Sequence, residues 1–261
     1  VDPSRINEYL ILAALIGSVI WVWLCTHFGM PISVSHALIG GLIGPVWFTF
    51  GGDALVASGI FKIAIFIVLS PLIGMILGFF MMCLTMLVFH KKHPMKVEGL
   101  FKGLQLFSSA IFSLGHGAND AQKTMGVITL ALFIFNEIET IAVPLWVKCL
   151  CAAFMALGTA MGGWKIVKTM GHKIFKLEPV HGFASETSAA LVISGASLLG
   201  APISTTHTIT ACIFGVGSTK RLTAVRWGVA GHLIIAWVLT IPASGLLAAC
   251  SFFLLNAVGF A

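Results

Sequence analysis

Residues 29–36 read GMPISVSH, and residues 200–207 read GAPISTTH. Both stretches carry Gly, Pro, Ile, Ser and His at the same positions, and each interrupts an apolar run. Gly44 and Gly215 extend the match, because each lies at the same distance beyond its own stretch. Around each stretch, an apolar run, the break, a short apolar run and one long span follow in the same order. The sequence therefore predicts an internal repeat with an interrupted apolar segment in each half.

The composition around these breaks is that of a membrane protein. Of the 261 residues, 58% are hydrophobic and 9% are charged, whereas a soluble domain carries about 25% charged residues. The mean hydropathy is +1.03. No water-soluble core could bury this much apolar surface, so lipid is the expected solvent. The net charge of +6 is concentrated in short loops, a pattern that indicates membrane orientation and not nucleic-acid binding.

The apolar runs differ in length. Those at 59–89, 141–163 and 227–255 reach the roughly 20 residues that a full span needs. The others are shorter, and they lie at 10–25, 37–50, 104–115, 121–135, 183–199 and 206–217. Short segments interrupted at corresponding positions of two halves are typical of a transporter binding site.

Three clusters of basic residues lie at 90–102, 164–178 and 218–226. The positive-inside rule places these clusters in the cytoplasm. When the chain is followed from them, the first broken pair enters and leaves from outside, and the second enters and leaves from inside. The two repeats therefore have opposite orientations, which is a common plan of secondary transporters.

We predict an all-α integral membrane protein built from inverted-topology repeats with broken helices or re-entrant hairpins. Residues 1–89 are the first repeat, a hairpin plus a long span. Residues 90–103 are a cytoplasmic basic loop, and residues 104–261 are the second repeat. The expected location is the plasma (inner) membrane, which the chain crosses several times.

Residues 115–126 read GHGANDAQKTMG, and their polar side chains interrupt an apolar stretch at Asn119, Asp120, Gln122 and Lys123. An ionisable group at membrane depth costs about 3 kcal/mol or more, so it is a functional-site candidate. Gly115 and Gly117 predict a helix break, with Asn119 or Asp120 capping a new helix from about 121 to 135. The N-terminus of that helix would suit an anion. The alternative is a polar cluster that only packs helices together.

Hydroxyl groups line both repeated breaks, at Ser33, Ser35, Ser204, Thr205 and Thr206. Each break precedes a short helix, so hydroxyls and first-turn N–H groups together would bind a tetrahedral oxyanion. The alternative is ordinary N-capping. His36 and His207 close the two motifs and could ligate, relay protons or bond to backbone. Glu186, in the run 183–199, could bind Na⁺ or a proton, or cap a helix.

These motifs together resemble the inorganic phosphate transporter family, often called PiT. The matching stretches are GANDAQKTMG (117–126), PISVSH with PISTTH, and GFASETSAALVISGASLLG (182–200). The resemblance covers essentially the whole chain. It implies a phosphate symporter coupled to Na⁺ or H⁺, with two inverted repeats and one GAND motif in each. Some relatives carry sulfate or metal–phosphate complexes.

The chain departs from that pattern because it has a single GAND motif, which begins at Gly117 and precedes Pro202 of the second break. The same spacing, applied before Pro31 of the first break, would place a first motif well upstream of Val1. We therefore expect the first repeat to lack its N-terminal part. Without that part, the chain is expected to be less stable or to recruit the missing surface from a second copy, as a homo-oligomer.

The expected substrate-binding residues are Ser33, Ser35, Asn119, Asp120, Gln122, Lys123, Ser204, Thr205 and Thr206. We expect them to converge on one polar cavity. The coupling-cation candidates are Asp120, Glu186, His36 and His207. A carboxylate repels phosphate unless a cation lies between them or a proton neutralises it, which is a physical reason for coupling. Lys123 would neutralise further charge or pair with Asp120.

The competing interpretations are a permease for sulfate or another oxyanion, a membrane enzyme and an ion channel. An enzyme is not expected because there is no P-loop, no H-E-x-x-H and no acidic cluster. A channel would need a continuous polar lining. The expected partners are inorganic phosphate and the lipid bilayer, with no nucleic acid. No cofactor is expected besides the coupling ion, and no metal site is assigned.

Overall fold

A computed structural model describes Val1 and residues 5–259. Its α-helices are α1 (Glu8–Phe28), α2 (Val34–Phe50), α3 (Ala57–Phe89), α4 (Pro94–Ile134), α5 (Leu145–Met161), α6 (Trp164–Lys168), α7 (Pro179–Leu198), α8 (Thr205–Lys220) and α9 (Trp227–Ala257). A π-helical turn, Thr169–Ile174, continues α6. Short 3₁₀ turns, Gly52–Ala54 and Leu222–Ala224, precede α3 and α9. The predicted all-α membrane architecture with broken hairpins is confirmed.

The same order of elements occurs twice along the chain. Helices α1, α2 and α3, with a 3₁₀ turn before α3, correspond to α7, α8 and α9, with a 3₁₀ turn before α9. The long helices α3 and α9 each contain a proline, Pro71 and Pro242, and these two prolines have the same sequence separation as the two breaks. The resemblance between the two halves therefore extends well beyond the two quoted breaks.

The spans differ from the predicted ones at two places. Within the described residues, α1, α3 and α9 are long and apolar enough to cross a membrane, so α1 has the length of a span although the run 10–25 predicts a short segment. The run 141–163 is not one straight span. Helix α5 ends at Met161, where Gly163 adopts φ +87°, and the helix pair on either side is bent by 60°. A left-handed glycine ends a helix in this way.

The predicted helix break at Gly115 and Gly117 is wrong. Helix α4 runs without interruption from Pro94 to Ile134, so neither Asn119 nor Asp120 is an N-cap. A helix interior tolerates glycine at about 1 kcal/mol relative to alanine, and lipid penalises any backbone group that loses its hydrogen bond. The polar side chains therefore project from a continuous helix. Most of the predicted basic loop 90–103 is likewise helical, because α4 begins at Pro94.

The chain divides into two compact units, and the division falls within α4. Unit 1 comprises Val1–Phe61, Asp120–Lys165 and Leu233–Ala261. Unit 2 comprises Lys62–Asn119 and Ile166–His232. Each unit thus joins the hairpin of one repeat to the long helix of the other. Unit 1 contains α1, α2 and α9, and unit 2 contains α7, α8 and α3.

Glycines allow each hairpin to approach its long helix at backbone distance. In unit 1, a Cβ on Gly44 would meet the backbone of Gly245 in α9. In unit 2, a Cβ on Gly215 would meet the carbonyl of Met75 in α3. Small residues at such crossings give membrane helices their van der Waals contact. Gly44 and Gly215, matched in the sequence, thus have the same packing role in their own units.

Candidate functional site

The first break, in unit 1, is built by local backbone chemistry. Helix α1 ends at Phe28. Gly29, which follows it, has φ +69°, and the N–H of Met30 donates to the carbonyl of Cys25 at 2.9 Å. Ser33 then caps α2, because its Oγ accepts the N–H of His36 at 3.2 Å. Trp237 of α9 donates its indole N–H to the carbonyl of Pro31 at 2.9 Å. This bond ties the extended segment to a long helix.

The second break, in unit 2, repeats this construction. Gly200 has φ +60°, and the N–H of Ala201 donates to the carbonyl of Ala196 at 2.9 Å. Ser204 caps α8 by accepting the N–H of His207 at 3.2 Å. Thr208 donates its hydroxyl to the carbonyl of Ser204 at 2.9 Å. The prediction that both serines precede a short helix is confirmed, and N-capping is part of their role.

The hydroxyl-bearing residues of both breaks lie at helix N-termini. Ser35 is in the first turn of α2, and Thr205 and Thr206 begin α8. First-turn N–H groups point out of the helix end and carry its positive dipole. Such an end, flanked by hydroxyls, can bind a tetrahedral anion without a full positive charge.

In unit 1, Asp120 and Lys123 of α4 form an ion pair. Lys123 Nζ lies 3.1 Å from Asp120 Oδ1, and both side chains are partly buried. Lys123 is also close enough to His36 of α2 for its positive charge to act on the imidazole. His36 is buried, at 3% exposure. The ion pair of α4 and the capped start of α2 therefore belong to one polar neighbourhood.

In unit 2, Asn119 bonds to the last turn of α7. Its amide donates from Nδ2 to Ser197 Oγ at 3.1 Å. Its carbonyl oxygen Oδ1 is buried and makes no hydrogen bond with any residue that the structure describes. Ser197 lies just before the second break. Asn119 thus presents an acceptor beside the segment that leads to Ser204.

Glu186 is the carboxylate of the same helix pair. It is the eighth residue of α7, so it does not cap that helix. Ser108 of α4 donates its hydroxyl to Glu186 Oε2 at 2.6 Å, and the Gln105 side chain also bonds to the carboxylate. A half-buried carboxylate with neutral donors keeps oxygen lone pairs that can bind a cation or a proton.

Some participants were not predicted from the sequence. Ser108, Gln105 and Ser197 are partners of Glu186 and Asn119. Their signal was available, because each is a polar residue within or beside an apolar run. The predicted residue Gln122 is exposed on α4 and belongs to neither cluster just described. His207 is fully buried at the start of α8.

The architecture defines an all-helical membrane transporter with two capped, broken hairpins. The model of the family described as "Phosphate transporter family" matches residues 1–97 and 86–248. The chain belongs to this family, as its motifs predicted.

Curated relatives agree with this assignment. A "Probable low-affinity inorganic phosphate transporter" of Rhizobium meliloti (strain 1021) is 46% identical over 97% of this chain and 76% of its own length. One of Bacillus subtilis (strain 168) is 41% identical over 99% and 78%. A solved structure, "The sodium-dependent phosphate transporter", is 25% identical with a TM-score of 0.88, covering 99% of this chain and 82% of that chain. These relatives are transporters and not enzymes.

Proposed function

We propose that this chain moves inorganic phosphate across a membrane together with a cation, Na⁺ or H⁺. The observation that carries the proposal is the pair of Ser-capped helix starts, at Ser33 and Ser204, each followed by hydroxyl side chains. Helix N-termini and hydroxyls suit an oxyanion that carries one or two negative charges. The names of the relatives, which refer to inorganic phosphate, support the same substrate.

Each unit has its own proposed substrate-binding groups. We propose Ser33, Ser35, Asp120 and Lys123 for unit 1, and Asn119, Ser204, Thr205 and Thr206 for unit 2. Gln122, which is exposed outside both clusters, stays a prediction from the sequence. Lys123 supplies positive charge, and the hydroxyls and amide supply directional hydrogen bonds.

Cation coupling follows from the carboxylates near these groups. An ionised carboxylate at Asp120 or Glu186 would repel an anion, and the repulsion is strong wherever water is excluded. A bound Na⁺ or proton removes that repulsion. The protein therefore binds phosphate more tightly when the cation is bound, and binds the cation more tightly when phosphate is bound. His36 and His207 are the other candidates for holding the coupling proton. The name of the solved relative, which is sodium-dependent, supports Na⁺.

Counterflow of labelled phosphate in proteoliposomes tests the proposal. We expect exchange that is stimulated by an inward Na⁺ or proton gradient and that excess sulfate does not abolish. If excess sulfate abolished the exchange of labelled phosphate, the chain would be a permease for sulfate or another oxyanion. Phosphate exchange that ignores both cations would contradict coupling.

The orientation proposed from charge has its own test. The basic segments 90–102, 164–178 and 218–226 would lie in the cytoplasm. In right-side-out vesicles, a membrane-impermeant amine reagent should leave Lys91 and Lys173 unmodified until the vesicles are opened. Labelling of either lysine in sealed vesicles would contradict the orientation.

A further inference from the structure

A cavity of about 340 Å³ lies in unit 2 at the end of α3. Its wall is mainly apolar and consists of Met82, Met86, Phe89, Val97, Phe101 and Val180. This volume is at the lower end of the range for small-molecule sites, about 300–1,000 Å³. Thr85 also lines it, but its hydroxyl donates to the carbonyl of Met81 at 2.8 Å. The wall therefore offers an occupant little beyond apolar contact.

Positive charge lies at one end of this cavity. His90 and Lys92 are part of the lining. Around them, residues 90–96 contain five basic side chains and no Asp or Glu. The next acid along the chain, Glu98, pairs with Lys102 at 2.9 Å, and Glu178, which precedes the lining residue Val180, lies 3.9 Å from His181. The cavity thus combines an apolar wall with a basic rim whose charge these acids do not neutralise.

The position along α3 matches the headgroup layer. At a rise of 1.5 Å per residue, the helix from Lys62 to Phe89 is about 40 Å long, which exceeds the roughly 30 Å hydrocarbon core. Leu84, Leu87 and Val88, on the final turns of α3, are exposed, as expected for side chains that meet lipid. The basic rim follows at once. An occupant with its apolar part against Met82 and its polar part at Lys92 would be aligned with the lipids of one leaflet.

We propose that this cavity binds one anionic phospholipid. An acyl chain fills the apolar wall, and the phosphodiester group contacts Lys92 and His90. The His90 Nδ1 donates to the carbonyl of Leu87 at 2.6 Å, which orients the ring. Free phosphate would leave the apolar wall unfilled, and an apolar helix of a second copy would leave the basic rim without a counter-charge. Basic clusters at the cytoplasmic end of a span attract anionic lipids in this way.

Native mass spectrometry of the purified protein tests the site directly. The protein is titrated with palmitoyl-oleoyl phosphatidylglycerol or with phosphatidylcholine of the same chains. We expect one phosphatidylglycerol to be retained in preference to phosphatidylcholine. Lys92→Gln should weaken its retention about fivefold, the effect expected for one basic residue near an anionic membrane surface.

Two kinds of variant separate this site from diffuse surface charge. Lys173→Gln removes an equal charge from an exposed side chain of the same unit that does not line the cavity, and it should change retention less than twofold. Val97→Trp and Met86→Trp fill the cavity without altering charge, and either should abolish the preferred adduct in protein that elutes normally on size exclusion. Equal retention of the two lipids, or an equal loss in Lys92→Gln and Lys173→Gln, would overturn the proposal.

Discussion

The α1–α2 hairpin of unit 1 and the α7–α8 hairpin of unit 2 use the same backbone construction with different side chains. Both turn at a left-handed glycine and restart at a capping serine, and the serine bonds have equal lengths of 3.2 Å. Helix α1 is apolar enough to be a membrane span, whereas α7 is not among the spans.

The side chains of the two hairpins differ most at four consecutive positions of their first helices. Helix α7 carries Ser185, Glu186, Thr187 and Ser188, where α1 has Ala14, Leu15, Ile16 and Gly17. The repeat therefore preserves the helix break, which backbone geometry requires, and varies the polar side chains, among them Glu186, that we propose as cation or proton ligands. The carboxylate near the first hairpin is supplied instead by α4, in the ion pair of Asp120 and Lys123.

The largest expected effect concerns the ion pair of Asp120 and Lys123 on α4. Asp120→Asn keeps the side-chain shape but removes the charge that pairs with Lys123. Loss of one member of a buried charge pair costs roughly 3 kcal/mol, so coupled phosphate uptake should fall about a hundredfold. Uptake in proteoliposomes measures it, with Asp53→Asn, an exposed change in the 3₁₀ turn, as control. Normal uptake by Asp120→Asn would remove Asp120 from the proposed mechanism.

The second effect concerns the carboxylate that α1 lacks. Glu186→Gln retains a carbonyl acceptor for Ser108 but loses the charge. A hydrogen bond to a charged group is worth about 1.5–3 kcal/mol, so uptake should fall about tenfold and its dependence on cation concentration should flatten. Cation titrations of uptake measure both. Ser109→Ala, which removes an exposed hydroxyl from α4, is the control. If the cation dependence of uptake were unchanged in Glu186→Gln, Glu186 would have a role in packing alone.

The third effect tests whether the two hairpins pack equivalently. Gly44→Ala and Gly215→Ala would each place a Cβ against the backbone of α9 or α3. Overpacking of this kind costs about 1–3 kcal/mol. Thermal unfolding in detergent should show a lower midpoint for both variants. Gly126→Ala, at a position with nothing within 4 Å of the added Cβ, is the control and should be neutral or stabilising. If Gly44→Ala or Gly215→Ala unfolded at the same temperature as this control, the two hairpins would not pack equivalently.

The smallest effect concerns the caps. Ser33→Ala and Ser204→Ala each remove one acceptor for a backbone N–H, at about 1 kcal/mol. Because the two bonds are equal in length, the two losses in thermal stability should agree within error. Ser→Thr at either position should restore most of it. Unequal losses would show that one serine does more than cap its helix.

The sequence was sufficient for features that depend on neighbouring residues. The two capped breaks, the membrane solvent and the repeated order of elements all follow from local patterns around Ser33 and Ser204. The prediction failed at Gly115 and Gly117. A glycine indicates a helix break only where water can replace the helix hydrogen bonds that the backbone gives up, and lipid cannot do so. The end of α5 at Gly162–Gly163 did carry a local signal, which the apolar run obscured. The inversion of the two repeats stays a prediction from charge.

Contacts between distant segments were decided by tertiary structure alone. Ser108 and Glu186 are 78 residues apart, as are Asn119 and Ser197. No periodicity in the sequence links these pairs, because their proximity depends on how α4 packs beside α7. Packing also decides that each hairpin shares a unit with the long helix of the other repeat. Local hydrogen bonding and hydrophobicity determined the elements of this chain, whereas helix packing at Gly44 and Gly215 determined which elements share a unit.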